Sequence, residues 1–362
     1  MSVTILENKN IDCWDHDLER LHGSIFMTIP WLNAIANKNR EPVFLRFLKN
    51  GEQLAMLAGI ITPIRNTNKT QLLFYSGFAL KEKSRILESE CKKRLLEYAQ
   101  TNNISRVTLK SYDHHTYLNA EHRAFKKFYR SEYLLNLSKG KEYITSKFHS
   151  DFRRRARKAQ REGLIFKTTR NVSFIRFLYD LLEKTYITRK TKGYGEYTYL
   201  YLPHMKEAEI ESLLKSNSAM FFYAEYQNEI VSIQLAQCYQ KKAYGLLMGT
   251  SEEGYSKGAP SFLFFHSTQF LADQGYHYYN LGGIQRGKSH AGLKKFKDSM
   301  NGSIIESAEE SSSFLDFPLS LYNPALHIKR IMLSKTRIWI PWRIRKRLIY
   351  LANTILFNRD DL

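Results

Sequence analysis

The chain has few cysteines and prolines and no long uncharged apolar run. Its three cysteines, Cys13, Cys91 and Cys238, lie far apart, and no Cys-x-x-Cys pair or zinc-type spacing occurs. We therefore expect buried, reduced thiols and no metal site. No stretch of about 18 uncharged apolar residues is present, and residues 1–10 lack the apolar core of a secretory signal. The sequence thus predicts a cytoplasmic protein without a transmembrane helix.

Acidic residues are scarce relative to basic ones. Asp and Glu total 35 against 55 Lys and Arg, which gives a net charge of +20. This excess predicts polyanionic partners such as RNA, anionic lipid or phosphorylated small molecules, without choosing among them. A length of 362 residues with 43% hydrophobic residues fits two ordinary domains with real cores. The composition therefore excludes a disordered chain.

The second half of the chain shows a regular succession of strand and helix signals. The predicted elements are a strand at 164–169, helices at 172–186 and 202–215, strands at 219–226, 230–239 and 243–250, a helix at 260–274, a strand at 276–281, a helix at 292–300 and a strand from 302. Short polar turns between the three central strands indicate an antiparallel meander. Pro260 near the first turn and Gly275 past the last turn bound the helix between them.

The first half repeats this order approximately. The predicted elements are helices at 15–21 and 30–37, strands at 43–48, 54–62 and 71–75, a helix at 82–102 and a strand at 106–110. A further strand is predicted at 133–137. We interpret the repeat as a structural duplication. The expected fold is α+β, with tandem domains at 1–137 and 163–318 built from mixed, mostly antiparallel sheets flanked by helices.

A basic helix is predicted between the two domains, within residues 138–162. Its cations are Lys147, Arg153, Arg154, Arg155, Arg157, Lys158 and Arg161. Only Asp151 and Glu162 lie at helical spacing to offset them. One interpretation is a solvated face on a connecting helix. The other is a contact surface in which Arg153, Arg154 and Arg157 bind a tRNA acceptor stem or the pyrophosphate of an acceptor.

The C-terminal segment 319–362 has a different composition. Between residues 323 and 357 it carries eight Lys and Arg and no Asp or Glu, interleaved with Trp and Ile, and Pro341 divides it into two short helices. This pattern predicts a basic amphipathic tail that lies on an anionic membrane surface. The alternative is a helix docked on the protein's own core.

The most specific motif is the run Tyr278–Ile284, followed by a helix at 292–297. The pattern predicts a strand that ends at Gly282-Gly283, then a basic loop and a basic helix. The cations of this region are Arg286, Lys288, Lys294, Lys295 and Lys297. Glycines beside a helix N-terminus let the backbone approach an anionic ligand closely. The motif therefore indicates an anionic group-transfer substrate.

The residues Asn280-Leu281-Gly282-Gly283-Ile284, with Gly292-Leu293 and Phe296-Lys297, resemble the signature of the Fem-type aminoacyltransferases. This family lies within the GNAT acyltransferase superfamily and builds peptidoglycan cross-bridges. The chain departs from the family at Met300-Asn301, where a Phe-Gly pair is usual. The resemblance implies tandem GNAT-like domains over nearly the whole chain. It also implies an aminoacyl-tRNA co-substrate, no tightly bound cofactor, and an amine acceptor on a lipid-linked or nucleotide-linked cell-envelope precursor.

The resemblance also implies roles for individual residues. Lys297 would bind the tRNA end, and Phe296 would shape that pocket. The residues expected to approach or bind phosphate are Gly282, Gly283, Arg286 and Lys294. Candidate bases for the acceptor amine are Glu225, His266 and Asp298, with Glu225 preferred. No Ser-His-Asp or Cys-His arrangement is evident, so a covalent intermediate is not expected.

GNAT acyltransferases bind the coenzyme A pyrophosphate with a Gln/Arg-x-x-Gly-x-Gly/Ala loop, whose N–H groups form a nest. Here the loop reads Tyr255-Ser256-Lys257-Gly258-Ala259-Pro260. Pro260 removes one N–H donor, and only Lys257 and Gly258 remain as phosphate contacts. This favours aminoacyl-tRNA as the donor.

Two alternatives stay open. The first is an acyl-CoA-dependent N-acyltransferase that acts on an amino sugar of a surface polysaccharide or lipid-linked glycan. The second is a non-catalytic RNA-binding protein. The preferred interpretation is a Fem-like transferase that is cytoplasmic and peripheral on the inner face of the cytoplasmic membrane.

Overall fold

The computed structural model describes residues 3–115, 118, 120–191, 204–284 and 291–324. The chain forms two compact units. Of the described residues, the first unit contains 3–32, 36–128 and 308–324, and the second contains 129–307 with the short segment Asn33–Ile35. This division assigns the predicted connecting helix to the second unit and residues 308–318 to the first. Nearly all of the predicted basic tail lies outside the described residues.

The first part of the chain alternates short helices with strands. Its elements are β1 (Thr4–Glu7), α1 (Trp14–Arg20), α2 (Ile29–Ile35), β2 (Glu41–Lys49), β3 (Glu52–Pro63), β4 (Thr70–Phe74), β5 (Ala79–Leu80), α3 (Arg85–Thr101), β6 (Arg106–Leu109) and β7 (Phe125–Asn136). The strands run β1-β2-β3-β4-β6, and β5 pairs with β3. Only the β4–β6 pair of this sheet is parallel, because the long helix α3 connects the two strands.

The core of the first unit is aromatic. Trp31 lies 4.6 Å from Phe26 and 5.2 Å from Tyr75 between ring centroids, and Trp14 lies 5.0 Å from Phe44. All five side chains are buried. Such pairs add to the free energy of burial, and their edge-to-face geometry fixes the packing of α1 and α2 on the sheet.

The second part of the chain contains the predicted succession of elements. They are α4 (Lys141–Lys147), α5 (Ser150–Arg161), β8 (Ile165–Thr169), α6 (Ile175–Thr191), α7 (Glu207–Lys215), β9 (Ala219–Tyr226), β10 (Glu229–Tyr239), β11 (Lys242–Thr250), α8 (Glu252–Ser256), α9 (Ala259–Asp273), β12 (Tyr278–Ile284), α10 (Ala291–Asp298) and β13 (Ser303–Ser312). The strands of the second unit run β7-β12-β11-β10-β9-β8, and only β11–β12 is parallel. The predicted α+β class with mixed, mostly antiparallel sheets is confirmed.

Three local features differ from the prediction. The helix predicted at 141–160 is broken between α4 and α5, because Phe148 and His149 have extended backbone with ψ of 144° and 145°. The break lets Phe148 pack in the core against Phe152 and Phe265. The short helix α8 was not predicted. Cys91 and Cys238 are buried as expected, whereas Cys13 is exposed.

Candidate active site

β12 ends in a distorted backbone at the glycine pair. Gly282 has φ +77°, in the left-handed region that favours glycine. The pairing of β12 with β7 shifts register between Asn280 and Gly283. A Cβ added at Gly283 would lie 2.7 Å from Nη2 of Arg130. Position 282 therefore requires glycine for its conformation, and a side chain at position 283 would displace the Arg130 guanidinium.

Lys297, on α10, is held by this glycine pair. Its Nζ donates hydrogen bonds to the carbonyl oxygens of Gly282 at 2.9 Å and of Gly283 at 3.0 Å. The residue is only 5% exposed. Burial lowers the pKa of Lys297 to about 7, and Glu132 opposes this shift while Arg130 adds to it. Lys297 is thus a buried amine that exchanges its proton near neutral pH.

Glu132, on β7, is the carboxylate of this site. It is 1% exposed. Its Oε1 accepts hydrogen bonds from Tyr244 at 2.8 Å and from Arg130 at 2.7 Å. Its Oε2 accepts a bond from Nδ2 of Asn280 at 2.9 Å. Sequence reasoning missed Glu132, because the strand was predicted to begin only at residue 133.

A second polar group includes Tyr133, whose ring centre lies 6.0 Å from Nζ of Lys297. The Tyr133 hydroxyl donates to Oδ1 of Asp298 at 2.6 Å, and Nζ of Lys294 donates to Oδ2 at 2.8 Å. Burial raises the pKa of Asp298, but the bonds from Lys294 and Tyr133 outweigh it and the net pKa is lowered. Asp298 therefore stays ionised, and Lys294 is engaged with it.

The other predicted catalytic residues lie in different surroundings. The Phe296 ring packs 5.6 Å from Phe152 and 5.5 Å from Phe264, so it belongs to the core, and its role in a ligand pocket stays a prediction. Glu225, on β9, forms an ion pair with Lys167 at 2.9 Å. Strands β10 and β11 separate β9 from β12, which amounts to about 14 Å. The structure thus brings Glu132, and not Glu225, to Lys297.

The third candidate base, His266, lies among aromatic rings. Its ring is 4.4 Å from Phe262 and 5.7 Å from Phe166. Burial lowers its pKa, with a smaller opposing effect from Gln269. This imidazole is therefore neutral at physiological pH and packs as part of the face of α9.

The loop that corresponds to the coenzyme A site has few unused amides. Gly258, with φ +75°, precedes α9. The Lys257 N–H bonds to the Glu253 carbonyl at 2.9 Å, and the Gly258 N–H bonds to the Tyr255 carbonyl at 3.2 Å. Pro260 has no N–H group. The N–H groups of Lys257 and Gly258 are therefore bonded to carbonyls of α8, and residue 260 offers none.

The Lys257 side chain, the other predicted phosphate contact, faces protein groups. Its Nζ lies 4.0 Å from the Glu162 carboxylate and 4.8 Å from the centre of the Tyr226 ring. The carboxylate and the aromatic face thus already offset part of the positive charge of Lys257. The predicted role of Lys257 and Gly258 in phosphate binding stays a prediction.

The helix α5 is amphipathic. Its buried face consists of Phe152, Ala156 and Ala159, and its exposed cations are Arg154, Arg155, Arg157, Lys158 and Arg161. Arg154 pairs with Asp151 at 2.9 Å on the surface. Arg153 is half-buried, and its Nε has no hydrogen-bond partner within the described ranges. The predicted Arg286 and Lys288 lie outside the described residues.

α5 also passes beside the start of α9. The position of a Cβ on Gly258 would lie 3.9 Å from the Arg155 carbonyl oxygen. The helix α5 and the loop that corresponds to the coenzyme A site are therefore neighbours within the second unit.

Comparison with known proteins agrees with this geometry. Residues 146–298 match the family described as acetyltransferase (GNAT) domain. The fold is similar to that of FemX, with a TM-score of 0.67 and 12% identity over 89% of this chain and 99% of that one. It is also similar to L-PGS from Bacillus licheniformis, with a TM-score of 0.51 and 14% identity over 88% of this chain and 96% of that one. No curated protein sequence matches.

The chain therefore carries a GNAT acyltransferase domain, and it is an acyltransferase with a Fem-type fold. The resemblance predicted from residues 280–297 is confirmed at this level. Within the described ranges, no helix combines the length and the apolar character needed to cross a bilayer.

Proposed function

We propose that the chain transfers an aminoacyl group from aminoacyl-tRNA to an amine of a cell-envelope precursor, which is a peptidoglycan precursor or a lipid-linked molecule. The observation that carries this proposal is the buried amine of Lys297, fixed by two carbonyls at the end of β12. The likeness of the fold to FemX supports it.

The chemistry needs little more than positioning and charge. The acceptor amine attacks the ester carbonyl of the aminoacyl group, a C–N bond forms, and the bond to the ribose oxygen breaks. The amine loses one proton and the ribose oxygen gains one. Negative charge develops on the carbonyl oxygen in the tetrahedral transition state, where a fixed cation stabilises it. Positioning of two large substrates supplies much of the remaining rate.

Lys297 has the donor that this step requires. A protonated amine carries three N–H groups, and the two glycine carbonyls accept two of them. In the proposed reaction the third N–H binds the developing oxyanion or the terminal phosphate of the tRNA. Because the ammonium is buried, its interaction with a ligand anion is less screened by water than at a surface.

The donor is inferred from the loop before α9 and from α5. The amides of Lys257 and Gly258 already have partners, so coenzyme A pyrophosphate would lack its usual nest. The basic surface of α5, with Arg153, Arg154 and Arg157, is proposed to contact the tRNA backbone. The segment 323–357 is proposed to hold the enzyme on an anionic membrane surface.

An acyl-CoA-dependent N-acyltransferase acting on an amino sugar is the second candidate. The observation in its favour is the short pairing of β11 with β12, which covers only Lys242–Tyr244 against Tyr278–Asn280. Within the described residues this parallel register ends at Tyr244, whereas β11 continues to Thr250. An extended acyl-carrying chain fits beside such a strand end.

Two measurements separate the candidates. The first is acetyl-CoA affinity by calorimetry at physiological salt. A micromolar dissociation constant, lost in a Lys257→Ala variant, would replace the proposed donor with acyl-CoA. The second is transfer of a labelled amino acid from aminoacyl-tRNA to a lipid-linked acceptor. We expect transfer with the native chain, loss of it in Lys297→Met, and retention in Lys215→Met, whose lysine is exposed on α7.

A further inference from the structure

We infer that Glu132 and Asn280 are positioning residues for Lys297. Glu132 sets the orientation of Asn280, Asn280 sets the Gly282 peptide that holds the Lys297 amine, and Glu132 places a buried negative charge in the same site. This inference rests on the proposed role of Lys297 as a cation.

The first part of the inference follows from a chain of hydrogen bonds. Nδ2 of Asn280 donates to Oε2 of Glu132 at 2.9 Å, and Oδ1 of Asn280 accepts the N–H of Gly282 at 2.9 Å. The opposite orientation of this amide would direct its oxygen at a carboxylate and its NH₂ at an N–H donor. Glu132 therefore permits only one orientation of Asn280.

The consequence reaches Lys297 through the backbone. Asn280 fixes the N–H of Gly282, which holds the left-handed conformation of that residue. In that conformation the carbonyls of Gly282 and Gly283 both accept from Nζ of Lys297. The shift in the pairing register of β12 with β7 also falls between Asn280 and Gly283. A change at Glu132 thus alters the lysine without touching it.

The second part concerns charge. Three donors stabilise the Glu132 carboxylate, namely Tyr244, Arg130 and Asn280. These bonds engage both oxygens of the carboxylate and hold the group in place. Glu132 therefore provides a fixed negative charge inside the unit.

The charges that face Lys297 come from two elements. β7 supplies Glu132 and Arg130, of which Glu132 raises the pKa of Lys297 and Arg130 lowers it. α10 supplies Asp298 and Lys294, which pair with each other at 2.8 Å. Tyr133 on β7 bonds to Asp298 as well. Glu132 is thus the group that opposes the effect of burial on the Lys297 ammonium.

The test measures the protonation of Lys297 without any substrate. Lysines labelled with ¹³C at Cε are titrated by NMR, and the Lys297 signal is assigned by its loss in Lys297→Met. In Glu132→Gln we expect the pKa of Lys297 to fall from about 7 by about one unit. Glu306→Gln is the matched control, because that carboxylate is exposed and accepts a hydrogen bond from Ser131. It should leave the Lys297 titration unchanged.

A second variant keeps the inference testable if Glu132→Gln does not fold. Arg130→Met removes the cation that disfavours the Lys297 ammonium, so it should raise the pKa of Lys297. The two substitutions act on one ion pair and predict shifts of opposite sign. Unchanged titrations in both folded variants would overturn the inference.

The activity readout links positioning to function. A pKa one unit lower reduces the protonated fraction at pH 7 from about one half to about one tenth, so transfer by Glu132→Gln should fall about fivefold. The deficit should shrink as the pH is lowered toward 6, because the ammonium is then restored. A deficit independent of pH would assign Glu132 a structural role only. If Lys297→Met retains full transfer, the proposed function fails while the NMR result stands.

Discussion

Replacing Lys297 by Met should change how the stability of the chain depends on pH. The pKa of this lysine is lowered by burial from 10.5 to about 7 in the folded chain. Between these values the unfolded chain binds more protons than the folded one, so stability rises with pH. The cost of burying the ammonium is about 4 kcal/mol at pH 7 and about 1 kcal/mol at pH 10. Between pH 7 and pH 10 this residue should therefore add ~3 kcal/mol to the unfolding free energy of the native chain. Lys297→Met should show no such increase.

The assay is chemical denaturation of the native chain, Lys297→Met and Lys215→Met at pH 7 and pH 10. The quantity of interest is the difference in unfolding free energy between variant and native chain. The contributions of other groups with a shifted pKa, such as the half-buried Tyr98 and Tyr276, whose pKa is raised by burial, cancel in that difference. Between pH 7 and pH 10 we expect the unfolding free energy of Lys297→Met to fall by ~3 kcal/mol relative to that of the native chain. That of Lys215→Met should keep a constant difference from the native chain. Equal pH dependence in all three chains would refute the buried-ammonium argument.

Three further changes have defined outcomes. Gly282→Ala forces an alanine into the left-handed conformation, which should lower the unfolding free energy by about 1 kcal/mol in chemical denaturation. The loss of transfer activity, expressed as a free energy, should be larger than this loss of stability. Gly249→Ala places a Cβ 2.5 Å from the backbone of α6, so it should destabilise the chain by about 1–3 kcal/mol; an unchanged melting temperature would contradict that packing. A triple change of Arg153, Arg154 and Arg157 to Gln should reduce the slope of log affinity for tRNA against log salt by about 2–3, whereas an unchanged slope would place the RNA elsewhere.

The order of elements in the second half could be predicted because local signals agree with the final fold. β9, β10 and β11 are apolar runs separated by turns, and Pro260 and Gly275 bound α9. β7 could be predicted only in part. Residues 125–132 carry Lys126, Lys127, Arg130 and Glu132, which mask the strand pattern.

The site shows the same limit. The glycine pair and Lys297 lie within 16 positions of one another, so a local motif contains them. Glu132 and Asn280 are 148 positions apart and meet only because β7 pairs with β12. Glu225 is the carboxylate that the sequence favoured, since it lies on a clear strand, but strand order decides which carboxylate reaches Lys297. No local pattern records that order.

The short helix α8 has a consequence for the evolution of this fold. Five residues are too few for a helix to be stable by itself, and Ser251 closes its first turn with a bond to the N–H of Gly254. The N–H groups of Lys257 and Gly258 are therefore kept from binding phosphate only by the backbone hydrogen bonds of this short helix and by the Ser251 hydroxyl that caps it. A lineage could exchange one acyl carrier for another by unwinding this single turn, with the strands and the buried lysine left as they are.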